Sequence, residues 1–421
     1  MRLRVASLNV WALPWGLAPD EAERMQAIAQ HLPSLDADIV GLQEVWTAAA
    51  RDTLIEGGRR AGFENIWHRP MAYGGSGLVV LSKLPILESQ FTPFSVRGRP
   101  ERLDHSDYHG GKGFIRLRLA TSSGPIQLIN THLHARYSGS LQTDAYLEVR
   151  SAQTVEIALA LADLHEPVIA LGDFNLREGQ PEYRILLGLT GLRDAAASID
   201  HRQPTITADN PYRARPTKVS EDRIDYIFTR GGRARAVDVI GAERSFDAIL
   251  DFAGRKATYS DHAGVSALLA IHGEPALPHP QDPRAHAEAR QILARGLDAN
   301  ERRGRDQRIT AIAGMASGIG LWSLSNRVTR RAWLRHCLRA AALTSTAAAS
   351  GFGWLGLGPT PEETAAYENL LRDLETRASR TPDAGTRVLL APAGFADRDG
   401  PRSPTASQTS HPRTPFVPKR A

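Results

Sequence analysis

Val168-Ile169-Ala170-Leu171-Gly172-Asp173-Phe174-Asn175 sets four apolar residues against a glycine, an acid and an amide. An apolar run this short, ended by Gly and Asp, reads as a strand buried on both faces that delivers polar groups at its end. Asp38–Gln43, Gly77–Ser82 and Ile126–Asn130 have the same form. Helical spacing lies between them. Asp20 to Leu32 places Ala22, Met25, Ile28, Ala29 and Leu32 on one face, and Asp144 to Leu164 does so with Leu147, Val155, Ala158, Leu159 and Ala162. Buried strands interleaved with amphipathic helices predict an α/β layered domain over residues 1–272.

The chain has 421 residues, 42% hydrophobic and 23% charged, enough to bury a core and to build two or three domains. Its single cysteine, Cys337, excludes a disulfide framework and a cysteine-rich zinc site. Any metal must therefore sit on oxygen and nitrogen ligands, which favours a magnesium-like ion. A net charge of +5 suits a phosphate-bearing substrate, a nucleic acid or an anionic membrane without choosing among them. Met1 to Val10 reads as a strand and lacks the apolar run of a secretory signal, so a cytoplasmic catalytic region is expected. Pro275, Pro278, Pro280 and Pro283 mark 273–283 as a linker. Beyond it, 284–380 reads as helical, with two uncharged stretches at 309–326 and 340–361. Arg327, Arg330, Arg331, Arg335 and Arg339 lie between those stretches. Residues 381–421, rich in Pro, Ser, Thr and Arg, are expected to be disordered.

Six short polar signals follow apolar runs in the first domain: Ser7-Leu8-Asn9, Gln43-Glu44-Val45-Trp46, Asn130-Thr131-His132-Leu133, Gly172-Asp173-Phe174-Asn175, Arg223-Ile224-Asp225-Tyr226 and Ser260-Asp261-His262. Singly, each has an ordinary explanation: a solvated strand end, a rim histidine or a turn. Together they supply carboxylates and amides for a hard cation, and histidine as a base near neutrality. That is the equipment for metal-assisted hydrolysis of a phosphate ester.

In this order the six signals resemble the endonuclease/exonuclease/phosphatase superfamily across residues 1–272. The resemblance implies a four-layered α/β sandwich, two central β-sheets flanked by helices, here with a C-terminal helical hairpin appended. It implies Glu44 as principal Mg²⁺ ligand, with Mn²⁺ the alternative ion, and Asn9 and Asp261 beside it. It implies His262 as the base that activates water, Asp225 orienting that imidazole and His132 donating to a phosphate oxygen. Asp173 and Asn175 would orient the phosphate and assist the leaving oxygen.

Within the superfamily the chain resembles the neutral sphingomyelinases. Asn9-Val10-Trp11-Ala12-Leu13-Pro14 is similar to their opening, with Ala12 in place of Gly. Asp107-Tyr108-His109-Gly110-Gly111-Lys112 is similar to a loop in which Asp precedes Lys by five residues. Through it Lys112 would reach the substrate phosphate, or hold Asp107 aside. Thr131-His132-Leu133-His134-Ala135-Arg136-Tyr137 follows a third stretch, with Arg136 in place of an acid, and Asn210-Pro211-Tyr212 also fits. The substrate implied is sphingomyelin or a related phospholipid, cleaved to phosphocholine and ceramide. The two uncharged C-terminal stretches would place the chain on the membrane through 309–361, as an interfacial hairpin whose arginines meet anionic headgroups. The alternative is a hairpin packed on the catalytic domain. Two other functions stay open. One is a DNA or RNA nuclease using Arg97, Arg99 and Arg102. The other is a non-catalytic membrane-associated protein that keeps the fold.

Overall fold

The computed structural model describes residues 1–69, 76–102, 104–137, 144–213, 221–274 and 282–380. Its first sheet contains β1 (Arg2–Ala12), β2 (Ile39–Val45), β3 (Asn65–His68) and β4 (Val79–Ser82), with α1 (Glu21–His31) and α2 (Ala48–Arg60) in the connections. The second contains β5 (Ile86–Pro93), β6 (Gly113–Leu119), β7 (Ile126–His132) and β8 (Val168–Asp173), with α3 (Leu147–Leu161) crossing between the last two. Next come α4 (Pro181–Thr190), β9 (Arg193–Asp194), α5 (Ala195–Ser198), β10 (Asp225–Arg230), β11 (Ala236–Ser245), the small hairpin β12 (Leu250–Phe252) and β13 (Arg255–Ala257), and β14 (Gly264–His272). Three helices follow, α6 (Pro283–Arg327), α7 (Ala332–Leu357) and α8 (Pro359–Arg380).

The sheets run β11-β14-β1-β2-β4-β3 and β5-β6-β7-β8-β10-β9. Their inner faces meet through Leu3, Val5, Ile39 and Val80 on one side and Ile115, Leu117, Leu128 and Leu171 on the other. Helices α1 and α2 cover the first sheet through Met25, Ile28 and Leu54. Ile157, Leu161 and Leu186 of α3 and α4 cover the second. Two mixed sheets flanked by helices, with a C-terminal helical region, are the architecture expected from the sequence. The parallel pairs β1–β2 and β7–β8 end on the same side as their antiparallel neighbours β14 and β10 begin. That connectivity brings Asn9, Glu44, His132, Asp173, Asp225 and His262 to one end of the sandwich.

Buried polar side chains stitch the sheets together near that end. Gln43 Nε2 donates to Asn130 Oδ1 at 2.7 Å, and Asn130 Nδ2 donates to the carbonyls of Val79 and Leu42 at 3.1 and 3.3 Å. Both side chains are fully buried. They belong to two of the sequence signals, and their work here is structural.

The C-terminal region departs from the expected membrane hairpin. Helix α6 runs unbroken through the charged stretch and the first uncharged one, and α7 packs back along it. Small residues permit the approach: Ser345 Oγ donates to the Gly314 carbonyl at 2.8 Å. Among the described residues no helix is long and apolar enough to cross a membrane, because Gly, Ala, Ser and Thr dilute both stretches. Moreover, α6 and α8 bury Ala289, Ile292, Leu293, Tyr367 and Leu370 in one core with Val149 and Val155 of α3. The expected cytoplasmic chain held on the membrane through 309–361 is thereby left without support. Within the expected linker, residues 275–281 lie outside the described residues, as does the tail 381–421.

Gly172 lets β7 and β8 close up beside the site. Its φ is +142°, and a Cβ there would stand 2.0 Å from the Thr131 carbonyl oxygen. Gly172→Ala should therefore cost at least about 2 kcal/mol, read as a lowered denaturant midpoint with an unchanged slope.

Candidate active site

Asn9 is the hinge of the site. Its Nδ2 donates to Glu44 Oε1 at 2.8 Å and to Asp173 Oδ2 at 2.9 Å, so one amide joins carboxylates from opposite sheets. Its Oδ1 accepts from the Trp11 backbone at 3.0 Å. Trp11, Glu44 and Asn175 all hold positive φ, between +50° and +56°. Such backbone is uncommon outside glycine and persists only where its surroundings enforce it. Here it turns each side chain from strand direction toward the cavity.

His132 Nε2 lies 3.4 Å from Asp173 Oδ2 and 3.8 Å from Glu44 Oε1. Lys112 Nζ stands 2.9 Å from the same nitrogen, donates to the Leu133 carbonyl at 2.8 Å and pairs with Asp107 Oδ1 at 2.6 Å. Asp107 Oδ2 in turn accepts from the Ala135 backbone at 2.7 Å. On the far side, His262 Nδ1 lies 2.9 Å from Asp225 Oδ2, which fixes a proton on Nδ1. Asn175 Nδ2 donates to the Leu133 carbonyl, and its backbone N–H donates to Asp173 Oδ1.

Glu44, Asp107, Lys112, His132, Asp173, Asn175, Asp261 and His262 line one cavity of about 470 Å³. Asn9 and Asp225 are buried immediately behind that lining. All ten residues singled out from the sequence therefore meet at one site, and Glu44 and His262 face the same space.

Sequence reasoning missed Arg213. Its Nη2 pairs with Asp261 Oδ2 at 2.8 Å and stands 3.4 Å from His262 Nε2. It also missed Arg177, which lines the cavity and pairs with Asp222. The only signal for Arg213 was its place directly after Asn210-Pro211-Tyr212. The basic loop considered for nucleic acid is engaged elsewhere. Arg97 faces Glu362, Arg99 lies over the Tyr146 ring, and Arg102 pairs with Asp104.

The site's electrostatics are those of crowded acids. Burial and the neighbouring Asp261 raise the Glu44 carboxyl above its usual range. Burial and Asp225 push Asp173 up to about 7. Burial alone would lower His262, but Asp225, Asp261 and Asp173 outweigh it and push the imidazolium up to about 10. His132 moves the other way, held well below its usual value by burial and by Lys112. Buried oxygen donors that repel one another fit a hard divalent cation. Glu44, His132 and Asp173 form one cluster with ligand atoms within 4.8 Å, and Asp173, Asp225 and His262 form another. Asp261, expected on the metal side, has one carboxylate oxygen occupied by Arg213.

The profile of the Endonuclease/Exonuclease/phosphatase family matches residues 6–262. The chain belongs to this family. It is 31% identical over 280 residues to a Drosophila melanogaster protein that bears the provisional name neutral sphingomyelinase, a match covering 64% of this chain and 61% of that one. It is 34% identical over 204 residues to the inositol phosphosphingolipids phospholipase C of Schizosaccharomyces pombe, covering 47% and 46%. The chain thus spans about three fifths of the first relative's length and less than half of the second's. Among solved structures, the D. rerio TDP2 complex with a single-strand DNA product superposes with a TM-score of 0.52 at 22% identity. That match covers 64% of this chain and 99% of the other, a likeness of fold.

His134, behind Asp107, is buried and held down to about 4, first by burial. A histidine whose folded value lies below its ordinary 6.5 gives its full stability above that pH and loses it as pH falls toward 4. His134→Asn should shrink the stability difference between pH 7.5 and pH 4.5 by about 2.5 kcal/mol, measured by denaturant unfolding at the two pH values.

Proposed function

We propose that the protein is a Mg²⁺-dependent phosphodiesterase of the sphingomyelinase kind. Its reaction would be phospholipase C-type hydrolysis of sphingomyelin or a related phospholipid, giving ceramide and, from sphingomyelin, phosphocholine. The observation that carries this reading is the Asp225–His262 pair facing Glu44 across a single cavity. The names borne by the relatives support a sphingolipid substrate.

Glu44 would hold the cation, with Asn9 and Asp261 completing its shell. Bound there, Mg²⁺ would stabilise charge on the phosphate oxygens and offset the acidic field that keeps His262 protonated. Mn²⁺ would fit the same donors. His262 Nε2 takes a proton from water as the water oxygen bonds to phosphorus, and Asp225 steadies the imidazolium so formed. An arriving phosphoryl oxygen would take over the Lys112 N–H that reaches His132 Nε2, freeing that nitrogen to carry the N–H that His132 would donate as negative charge grows. The bond from phosphorus to the ceramide oxygen breaks. Asp173, its carboxyl raised by burial and Asp225, would pass a proton to that oxygen, and Asn175 would orient the phosphate. No covalent enzyme intermediate is required.

A nuclease reading draws on the shared fold, but Arg97, Arg99 and Arg102 are committed to Glu362, Tyr146 and Asp104. A non-catalytic role does not explain why ten reactive side chains keep one geometry.

Glu44→Gln and His262→Ala should each lower turnover of sphingomyelin on the order of 10³-fold while leaving the melting transition in place. EDTA should abolish activity and added Mg²⁺ restore it. The assay runs sphingomyelin, phosphatidylcholine and plasmid DNA side by side. Nicked plasmid with intact lipid would replace this reading with the nuclease one.

A further inference from the structure

The segment joining β5 to β6 carries Asp107 and Lys112, and its first half is held from two directions. From α3, Gln153 Nε2 donates to the Val96 carbonyl at 3.0 Å, and Glu156 accepts from the Ser95 backbone at 3.0 Å. From α8, Glu363 Oε1 accepts from the Gly98 backbone at 2.7 Å, and Glu362 stands 3.6 Å from Arg97. Glu363 is only 5% exposed, and its second oxygen faces Arg303 of α6 at 3.2 Å. A buried carboxylate so placed has a strict geometric preference, because losing either partner strands a charge.

Gly98 is more than a backbone donor. It sits at φ +103°, and a Cβ there would lie 2.9 Å from His134 Nε2, so the imidazole rests directly on this glycine. His134 stacks on Tyr146 with ring centroids 4.1 Å apart, and its Nδ1 is 3.4 Å from Asp107 Oδ2. Asp107 pairs with Lys112, and Lys112 meets His132. An unbroken line of contacts therefore runs from the C-terminal helix to a site imidazole.

We propose that Glu363 is a positioning residue for Lys112. By fixing Gly98, α8 seats His134 and Asp107 so that the Lys112 ammonium is held against His132 and aimed into the cavity. This gives the C-terminal helices a part in the chemistry. It rests on the reading that Lys112 and His132 serve phosphate cleavage.

The test uses the full chain with Mg²⁺ and two substrates, sphingomyelin in mixed micelles and the lipid-free diester bis(p-nitrophenyl) phosphate. Glu363→Ala should lower kcat about 10–100-fold on both, with KM within about threefold, since a group displaced by an ångström loses transition-state contact. Glu363→Gln keeps an acceptor for the Gly98 N–H and should recover most of the loss. In a Lys112→Met background, Glu363→Ala should cost no more than about twofold further, because the two changes act on one contact. Wild-type kcat in a folded Glu363→Ala protein, or losses that multiply in the double variant, would overturn the proposal. Should Glu363→Ala fail to fold, Glu363→Asp keeps the charge for Arg303 but falls short of Gly98, and the same criteria apply. Wild-type activity on the diester but not on sphingomyelin would defeat the lipid assignment while leaving Glu363 fully tested. Activity on neither would defeat the phosphodiesterase reading and this proposal with it.

Discussion

The reactive end of this sandwich is organised by one amide between two acids. Asn9 spans from Glu44 on its own sheet to Asp173 on the other, and both carboxyls are displaced upward by burial and by further acids. Two hydrogen bonds cannot offset that much like charge at a largely buried site. The arrangement is tolerable because Lys112 and the His262 imidazolium stand close by, and a divalent cation would complete the balance. Stability and reactivity thus draw on the same charges. What makes the cluster costly to fold also makes it a candidate cation site.

The sheets hold this cluster by connectivity more than by packing. Apolar residues set their spacing, but Gln43 and Asn130 set their relative position near the site through hydrogen bonds that satisfy every partner only in one register. Gly172 then draws β7 and β8 together so that His132 and Asp173 lie side by side, as their paired register records.

The sandwich was readable in the sequence because buried strands are nearly continuous apolar runs and each ends on a distinctive polar pair. The candidate site was readable for the same reason: its residues are those pairs. Arg213 and Arg177 were not, because they come from loops whose path no periodicity dictates. The roles of Gln43 and Asn130 were hidden differently. A polar residue at a strand end looks the same in sequence whether it faces a substrate or the opposite sheet.

The C-terminal stretches were misread because Gly, Ala, Ser and Thr dilute their apolarity below what a membrane-crossing helix needs. The deciding clue lay elsewhere, on α3. A helix covering one sheet needs a single apolar stripe, yet α3 buries Val149, Ala152 and Val155 toward α6 and α8 as well as Ile157 and Leu161 toward the second sheet. Between those faces it buries Arg150, Gln153 and Thr154. Such a helix must lie between two layers, so the chain needed a further layer outside it, and α6 and α8 supply one. The polar residues buried with it explain why that layer matters to the site. Gln153 accepts from the His134 backbone and donates to Val96, while Arg150 bonds Asp144 and Glu182. Those contacts survive only while water is kept out. The outer helices cover that face of α3, and α8 holds the start of the segment that carries Asp107 and Lys112 through the Gly98 N–H.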